Sequence, residues 1–527
     1  MSESVLVLEG ITDRGLEVLR SAGFRVDVRP AQPPAELARL VPPYDAMMIR
    51  SGSRITGEVI DAAARLRIIG RPGVGVDNVD LEAATRRGIV VMNSPLGNLA
   101  STAELTLALL LALARNVARA DAAMKAGVWD RKAFGGVELL GKRLGVVGLG
   151  RIGREVASRA RAFGLEVWAH DPFVAPAAAE ALRIPLVSLD DLLAGSDFVT
   201  LHTTLTPETR HLLGQEAFAR AKPGLRLVNA ARGELVDDEA LLAALDSGRV
   251  AGAALDVHSQ EPPVDWRLAR HAKVLATPHV GAATAEAQER VGTDIAVQVR
   301  DFLKGGLIQH AVNFFSFSSD LYDQVRPALD LAERLGSFLS QVCQGRPERI
   351  ELGLYGDLRE LDVKPILAAA VLGVLKAGGG PVTIVNAVSQ AAALGIDVLE
   401  STSSARLAFA NLMAVRLKTA QTDYSVAGTL FGRDHLRLVD LDGVEVDAIP
   451  QGRLLLVKND DTPGVVGHLG MLLGERGVNI ARMTVGRKPG SGRAVMLIEV
   501  DDDLSPDLLQ AVAAVAGVRE ARAVRLG

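Results

Sequence analysis

One junction constrains the fold more than any other stretch of this chain. RLGVVGLGRIGREVASRARAF passes from an apolar, β-branched run through Gly148-Leu-Gly-Arg-Ile-Gly153 into a sequence with helical periodicity. Glycines at these three places permit a tight turn, close approach of a phosphate to the backbone, and tight packing of helix on strand. The N-terminus of that helix also favours an anion electrostatically. Eighteen residues past Gly153, Asp171 ends LEVWAHD, where a carboxylate can accept hydrogen bonds from both ribose hydroxyls and repel a 2′-phosphate. A dinucleotide site is expected, with NAD favoured over NADP.

The junction is one of a series. VLVLE, FRVDV, AMMIR, LRIIG and GIVVMN alternate with helical or turn-rich segments, the pattern of a parallel sheet covered by helices. RLGVVGLG, LEVWAHD, DFVTLHT, LRLVNAA, VAGAALDV and KVLATPH form a second such series, with the six strands of a doubly wound Rossmann sheet. Long helices near Ser101 and Thr284 flank this series, so the sequence predicts one α/β domain inserted in another. The expected boundaries are a flavodoxin-like substrate domain at 1–98 plus 284–313 and a Rossmann domain at 99–283. An α+β region containing GGGP follows at 314–450. From 453 to 527 the order is βαββαβ, a ferredoxin-like layout with a helix from Thr462 to about Gly474 and a turn at KPGSG.

Composition narrows the partners. The 527 residues carry 58 Lys and Arg against 63 Asp and Glu, so no global field draws the chain to nucleic acid or an anionic membrane. Cys343 is the only cysteine, which excludes an internal disulfide and a thiolate metal cage and fits a reducing compartment. The most apolar helix, LTLALLLALA, falls well short of the roughly 20 residues that span a bilayer. Without a basic segment and apolar core at the start, a cytoplasmic location is expected, with a small molecule as partner and no metal.

Arg232 in NAARGELVD, Asp256 in ALDV, Glu261 in QEPP and His279 in TPHVG each follow a predicted strand, on the edge where open α/β sheets bind ligands. Each alone has an ordinary reading as a surface or capping residue. Together they place a guanidinium, an acid and an imidazole around one crevice. Hydride transfer from a secondary alcohol needs a base for the hydroxyl proton, and His279 suits that task. Glu261 on the other ring nitrogen would fix the tautomer and favour the imidazolium. Arg232 can grip a carboxylate or the C2 oxygen through a forked hydrogen bond, which points to a 2-hydroxy or 2-keto acid.

Gly148 to Gly153, NAARG, the QEPP glutamate and TPHVG resemble the D-isomer-specific 2-hydroxyacid dehydrogenases over residues 5 to 313. RSGSRIT, GRPGVGVDNVD, NSPLGN and the long AELTLALLLALAR helix are similar to the branch acting on 3-phosphoglycerate. That resemblance implies that Arg54 meets the substrate phosphate. Backbone N–H groups of the loop from Arg71 through Gly73 and Gly75 to Val76 would meet the carboxylate with Arg232. Arg131 and Lys132 would reach across a dimer interface. It also adds Gly150, Arg151, Ile152, Thr203, Pro207, Ala230, Asp256 and Gly281 to the cofactor contacts. Pro72, Val74 and Leu96 depart from the family, where Ala, Thr and Asn are often found; polar side chains are lost at 74 and 96 while the N–H groups of Gly73 to Val76 remain.

GDLRELDVKPILAAAVLGVL and PVTIVNAVSQAAALGI resemble the intervening domain of long members of this branch, where anion-dependent regulation or assembly is expected. NDDTPGVVGHLGMLLGERGVNIARM resembles an ACT domain, a regulatory module that often pairs edge to edge between subunits. The resemblance implies an effector site at that interface with Asn459, Asp461 and Asn479, with L-serine as effector, and a homodimer or homotetramer. Two other readings stay open. A hydroxypyruvate or glyoxylate reductase would keep Arg232, Glu261 and His279 without a phosphate pocket, and a dinucleotide-sensing corepressor would bind NADH without turnover.

Overall fold

The computed structural model describes residues 2–376, 381–403, 409–432, 434–488 and 490–527. The glycines of GGGP and the proline of KPGSG lie outside the described residues. Two parallel sheets hold the N-terminal part. The first comprises β1 (Ser4–Leu8), β2 (Arg25–Arg29), β3 (Ala46–Met48), β4 (Ile68–Arg71) and β5 (Val90–Asn93), in the order β2-β1-β3-β4-β5. β1 and β3 are buried along their whole length, as β-branched and apolar strands between two helical layers must be.

The second sheet comprises β6 (Arg143–Val147), β7 (Glu166–His170), β8 (Phe198–Leu201), β9 (Leu225–Asn229), β10 (Val250–Leu255) and β11 (Val274–Ala276). Its order is β11-β10-β9-β8-β6-β7, again with the first strand inside the second. A classical Rossmann sheet carries one more strand outside β7. Here that position is reduced to a parallel bridge between Ala169 and Leu186, with Ala169 N–H on the Pro185 carbonyl and Val187 N–H on the Ala169 carbonyl, both 2.9 Å. Pro185 itself has no N–H to donate, which limits any longer ladder there.

The helix Leu99–Ala114 leaves the first sheet, and the helix Ala285–Gly305 returns to it. Ile295 and Val299 of the returning helix press on Gly70 of β4, where a Cβ would come within 2.9 Å of Ile295 Cγ1. Asn313 then closes the edge at β5: its Oδ1 accepts Val91 N–H at 2.9 Å and its Nδ2 donates to the Ile89 carbonyl at 2.9 Å. Among the described residues, no single helix is long and apolar enough to cross a membrane.

The third sheet is built from β12 (Pro347–Gly356), β13 (Asp397–Ser403), β14 (Asn411–Thr419), β15 (Asp423–Phe431), β16 (His435–Leu441) and β17 (Val444–Ala448). Their order is β13-β12-β14-β15-β16-β17, mostly antiparallel, with the helices Ser319–Val342 and Val363–Lys376 packed together on one face. The fourth sheet, β18 (Gly452–Asp460), β19 (Ile480–Lys488), β20 (Arg493–Val500) and β21 (Val518–Leu526), has the order β19-β20-β18-β21. Its helix begins at Val465, three residues later than expected, because Gly464 takes a left-handed φ of 95° ahead of it.

Both faces of this last sheet are covered. Leu455, Val457, Met496 and Ile498 lie under its own helices, Val465–Glu475 and Pro506–Ala513. The alternate residues Leu454, Leu456, Val495, Leu497, Val524 and Leu526 join the core of the preceding domain. That two-sided burial explains the uninterrupted LLLV of β18. The outer strand β19 also lies beside β17, where Thr484 Oγ1 donates to the Asp447 carbonyl at 2.6 Å. The opposite strand β21 exchanges two hydrogen bonds with Gln341 through the backbone of Arg525.

Candidate active site

The glycine turn follows β6 and opens the helix Arg151–Ala162. Gly148 has φ 92°, and a Cβ there would lie 2.6 Å from the His202 carbonyl oxygen. At Gly153 a Cβ would come within 2.0 Å of the Gly148 carbonyl oxygen, so only glycine lets the helix sit this close. Gly150 is the reverse case, with nothing within 4 Å of its would-be Cβ. Open space above Gly150, beside the first N–H groups of the helix, fits a pyrophosphate. Asp171 Oδ2 accepts Leu149 N–H at 2.8 Å and its Oδ1 accepts Phe173 N–H at 2.9 Å. The carboxylate thus braces the turn and retains lone pairs for a ribose. Thr203 follows β8 and Ala230 follows β9 on the same rim, with Pro207 exposed in the loop beyond Thr203.

Between the two parallel sheets lies a cavity of about 610 Å³. Arg232, Glu261 and His279, far apart in sequence, all line it. His279 has φ 53°, and its Nδ1 donates to Glu261 Oε2 at 2.6 Å; among the described residues its Nε2 has no partner and stays open to a substrate. Burial alone would push the Glu261 carboxyl up, but the hydrogen bond and charge of His279 outweigh it and hold it below its ordinary value. Glu261 Oε1 also accepts His258 N–H at 3.2 Å, so the acid is held from both sides.

Asp256, expected as a cofactor contact, stands at the base of the loop that carries His279. It is fully buried, and its carboxylate accepts Thr277 Oγ1 at 2.6 Å, Val280 N–H at 2.8 Å and Gly281 N–H at 2.9 Å. Its backbone carbonyl accepts His279 N–H at 2.8 Å. These four bonds fix the loop that presents the imidazole. Gly281, also buried, gives its N–H to this acid.

The opposite wall is the loop after β4. Its carbonyls are engaged: Ser94 N–H reaches the Gly73 oxygen at 3.0 Å, and Asn93 Nδ2 reaches the Val74 oxygen at 2.5 Å. Among the described residues, the N–H groups of Gly73, Val74, Gly75 and Val76 meet no acceptor. Carbonyls held inward with amides left over suit an anion. Arg71 is half-buried, and burial together with the Arg232 charge pushes its guanidinium down to about 10. Arg54 is exposed and lines an adjoining cavity of about 380 Å³ that also touches Arg71, Arg232 and His279.

Arg50, Ser51 and Gln288 line the main cavity too, and the sequence reading missed them. Arg50 donates to Gln288, joining β3 to the returning helix. Arg50 stands two residues past β3, the strand-end position that singled out Arg232, so the signal was present in AMMIR. Arg131 and Lys132 are exposed between the helix Val117–Lys125 and β6 and do not line the cleft of this chain.

The three expected effector residues do not converge within one chain. Asn459 is buried at the end of β18, with Nδ2 on the Asp460 carbonyl at 2.7 Å and Oδ1 unpartnered among the described residues. Asp461, close by, faces Arg487 at 3.3 Å. Asn479 instead donates to Asp501 at 2.7 Å, at the other end of β20. The register separates the two ends by the length of β20, roughly 23 Å at about 3.3 Å per residue.

Comparison with known proteins follows the same divisions. Family models match residues 107–281 as the NAD-binding domain of D-isomer specific 2-hydroxyacid dehydrogenases, 324–442 as the D-3-phosphoglycerate dehydrogenase intervening domain, and 453–517 as an ACT domain. A D-3-phosphoglycerate dehydrogenase of Synechocystis is 41% identical over 99% of this chain and 94% of its own length. That of Archaeoglobus fulgidus is 40% identical over 99% of this chain and 100% of its own. Among solved structures, the NAD+-bound 3-phosphoglycerate dehydrogenase of Entamoeba histolytica matches with a TM-score of 0.52 and 27% identity, covering 60% of this chain and 100% of its own. A glyoxylate reductase from Paecilomyces thermophila matches at 0.56 and 32%, covering 59% and 98%. Identity sustained across both parallel sheets, the intervening domain and the C-terminal module leaves one conclusion: the chain belongs to the D-3-phosphoglycerate dehydrogenase family.

Proposed function

We propose that the protein oxidises D-3-phosphoglycerate at C2 to 3-phosphohydroxypyruvate with NAD, the first step of serine biosynthesis. The observation that carries this reading is the convergence of the His279–Glu261 pair with Arg232, Arg50 and Arg71 around one cavity. NAD, when bound, supplies the nicotinamide carbon that accepts the hydride leaving C2. His279 Nε2 takes the C2 hydroxyl proton, and Glu261 holds the resulting imidazolium through Nδ1. Arg232 grips the C2 oxygen and carboxylate, with the free amides of Gly73 to Val76 completing the carboxylate site. Arg54, Arg71 and Arg50 take the phosphate, a group that glycerate or glyoxylate lacks. Asp171 faces the adenosine ribose, and Asp256 fixes the loop carrying His279.

L-serine is the effector in this reading, bound where Asn459 and Asp461 of one copy meet Asn479 of another. The separation of these residues within one chain supports a site completed by two copies, in a homodimer or homotetramer. Arg131 and Lys132 reach the neighbouring cleft in the same assembly, which works in the cytoplasm. A steady-state NADH assay with 3-phosphoglycerate and glycerate, with and without serine, tests the whole reading. Strong preference for the phosphorylated acid and inhibition by serine are expected; equal use of glycerate would remove the phosphate site. Serine titration with neither heat nor inhibition would remove the effector.

A further inference from the structure

Two polar side chains of GRPGVGVDNVD, Asp77 and Asn78, lie outside the roles above. They stand where three guanidinium groups crowd one cavity, and like charges at that density repel. Asn78 Oδ1 accepts Arg71 Nε at 3.2 Å, while its Nδ2 donates to the carbonyls of Arg50 at 2.8 Å and Ser53 at 2.6 Å. Asp77 Oδ2 accepts Arg232 Nε at 2.8 Å. Asp77 belongs to the loop after β4 and Arg232 to the loop after β9, so this pair joins the two walls of the cleft. The backbone makes room for it: a Cβ on Gly75 would lie 1.8 Å from Arg232 Nη2 and 2.7 Å from Asp77 Oδ2.

A guanidinium has five N–H donors in a fixed plane. Arg232 gives Nε–H to Asp77, and Nη1 donates to the Ala231 carbonyl at 2.6 Å. One Nη1 hydrogen and both Nη2 hydrogens remain, which is the edge able to hold two oxygens at once. With Nε–H unclaimed, the Nε–Nη2 edge would compete for the same carboxylate, and the plane could turn. We propose that Asp77 is a positioning residue for the reaction: it engages Arg232 across the cleft and so commits the Nη1–Nη2 edge to the substrate. The pair is partly solvated, with Arg232 27% and Asp77 57% exposed. Such pairs add little to fold stability, which leaves orientation as the effect. The inference rests on Arg232 being the substrate's partner, as read above.

Oxidation of 3-phosphoglycerate by the full chain carrying Asp77→Ala, Asp77→Asn, Arg232→Ala or the Asp77→Ala/Arg232→Ala pair tests it. Asp77→Ala should lower kcat/KM by about 10- to 100-fold through misplacement of Arg232, with NADH affinity and thermal midpoint unchanged. Asp77→Asn, whose amide oxygen still accepts Nε–H, should recover part of that loss. Asp77→Ala should cost nothing further once Arg232 is Ala, because the acid acts through the guanidinium alone. Additive losses, a normal kcat/KM in Asp77→Ala, or an equal fall in NADH affinity would overturn the proposal and leave the enzymatic reading standing. Normal turnover in Arg232→Ala would overturn both.

Discussion

The two parallel sheets run their strands in the same order, with the first strand inside the second, and use the resulting crevice in opposite ways. Beyond β6, the turn carries three glycines and a helix start, open to solvent above Gly150. Beyond β1, the equivalent turn carries Glu9 at φ 65°, whose carboxylate accepts Gly52 N–H at 3.0 Å and Ser53 Oγ at 2.7 Å. An acid that takes the facing amide fills the place an anion would occupy. The first sheet instead carries cations further along, with Arg50 just past β3 and Arg71 at the end of β4. Topology supplies the crevice, and the side chain at its mouth decides whether a ligand or the protein itself occupies it.

The largest way to test this division acts on the second sheet. His279→Ala should lower turnover about 10²- to 10⁴-fold while leaving NADH affinity nearly unchanged, and unaltered turnover would take the imidazole out of the chemistry. On the first sheet, Arg54→Ala removes a charged contact worth about 1.5–3 kcal/mol, so KM for 3-phosphoglycerate should rise roughly 10- to 100-fold. An unphosphorylated substrate should barely respond; a uniform rise would contradict the phosphate role.

A matched pair of turn variants sharpens the comparison at smaller scale. Gly153→Ala drives a methyl into the Gly148 carbonyl, 2.0 Å away, and should cost about 1–3 kcal/mol of stability along with NADH affinity. Gly10→Ala, with φ 70° and nothing within 4 Å, should cost only about 1 kcal/mol of backbone strain and leave NADH binding intact. Calorimetry with NADH titration reads both.

An effect confined to acid pH concerns His202, between β8 and the glycine turn, whose imidazole is desolvated and pushed down to about 4. Its unfolded counterpart takes up a proton near pH 6.5, so the unfolded state binds more protons between about pH 6.5 and 4. Stability from this group is complete above that window and declines as pH falls through it, at no more than about 1.4 kcal/mol per unit. His202→Asn should flatten the acid decline of the thermal midpoint, and an unchanged slope would show that the ring is solvated.

Much of this was legible because it depends on local order. Most strands of the two parallel sheets announce themselves as apolar runs, and the glycine turn requires only its own neighbours. The anchoring role of Asp256 was missed because its partners, Thr277, Val280 and Gly281, come from another strand end. Arg50, Gln288 and Asp77 were passed over for a related reason. Membership in the cleft depends on two separately folded walls meeting, a condition that periodicity does not report. The reduced strand at Leu186 escaped notice because it is a single bridge beside a proline.

Neither face of the C-terminal module's sheet is left open, so the last two domains stand or fall as one folded body. A chain stopped at Pro450 would lay bare Val444 and Val446, which pack on Gly486 of β19, and would leave Gln341 without the Arg525 backbone. Removing the last module alone therefore uncovers apolar surface on the domain before it.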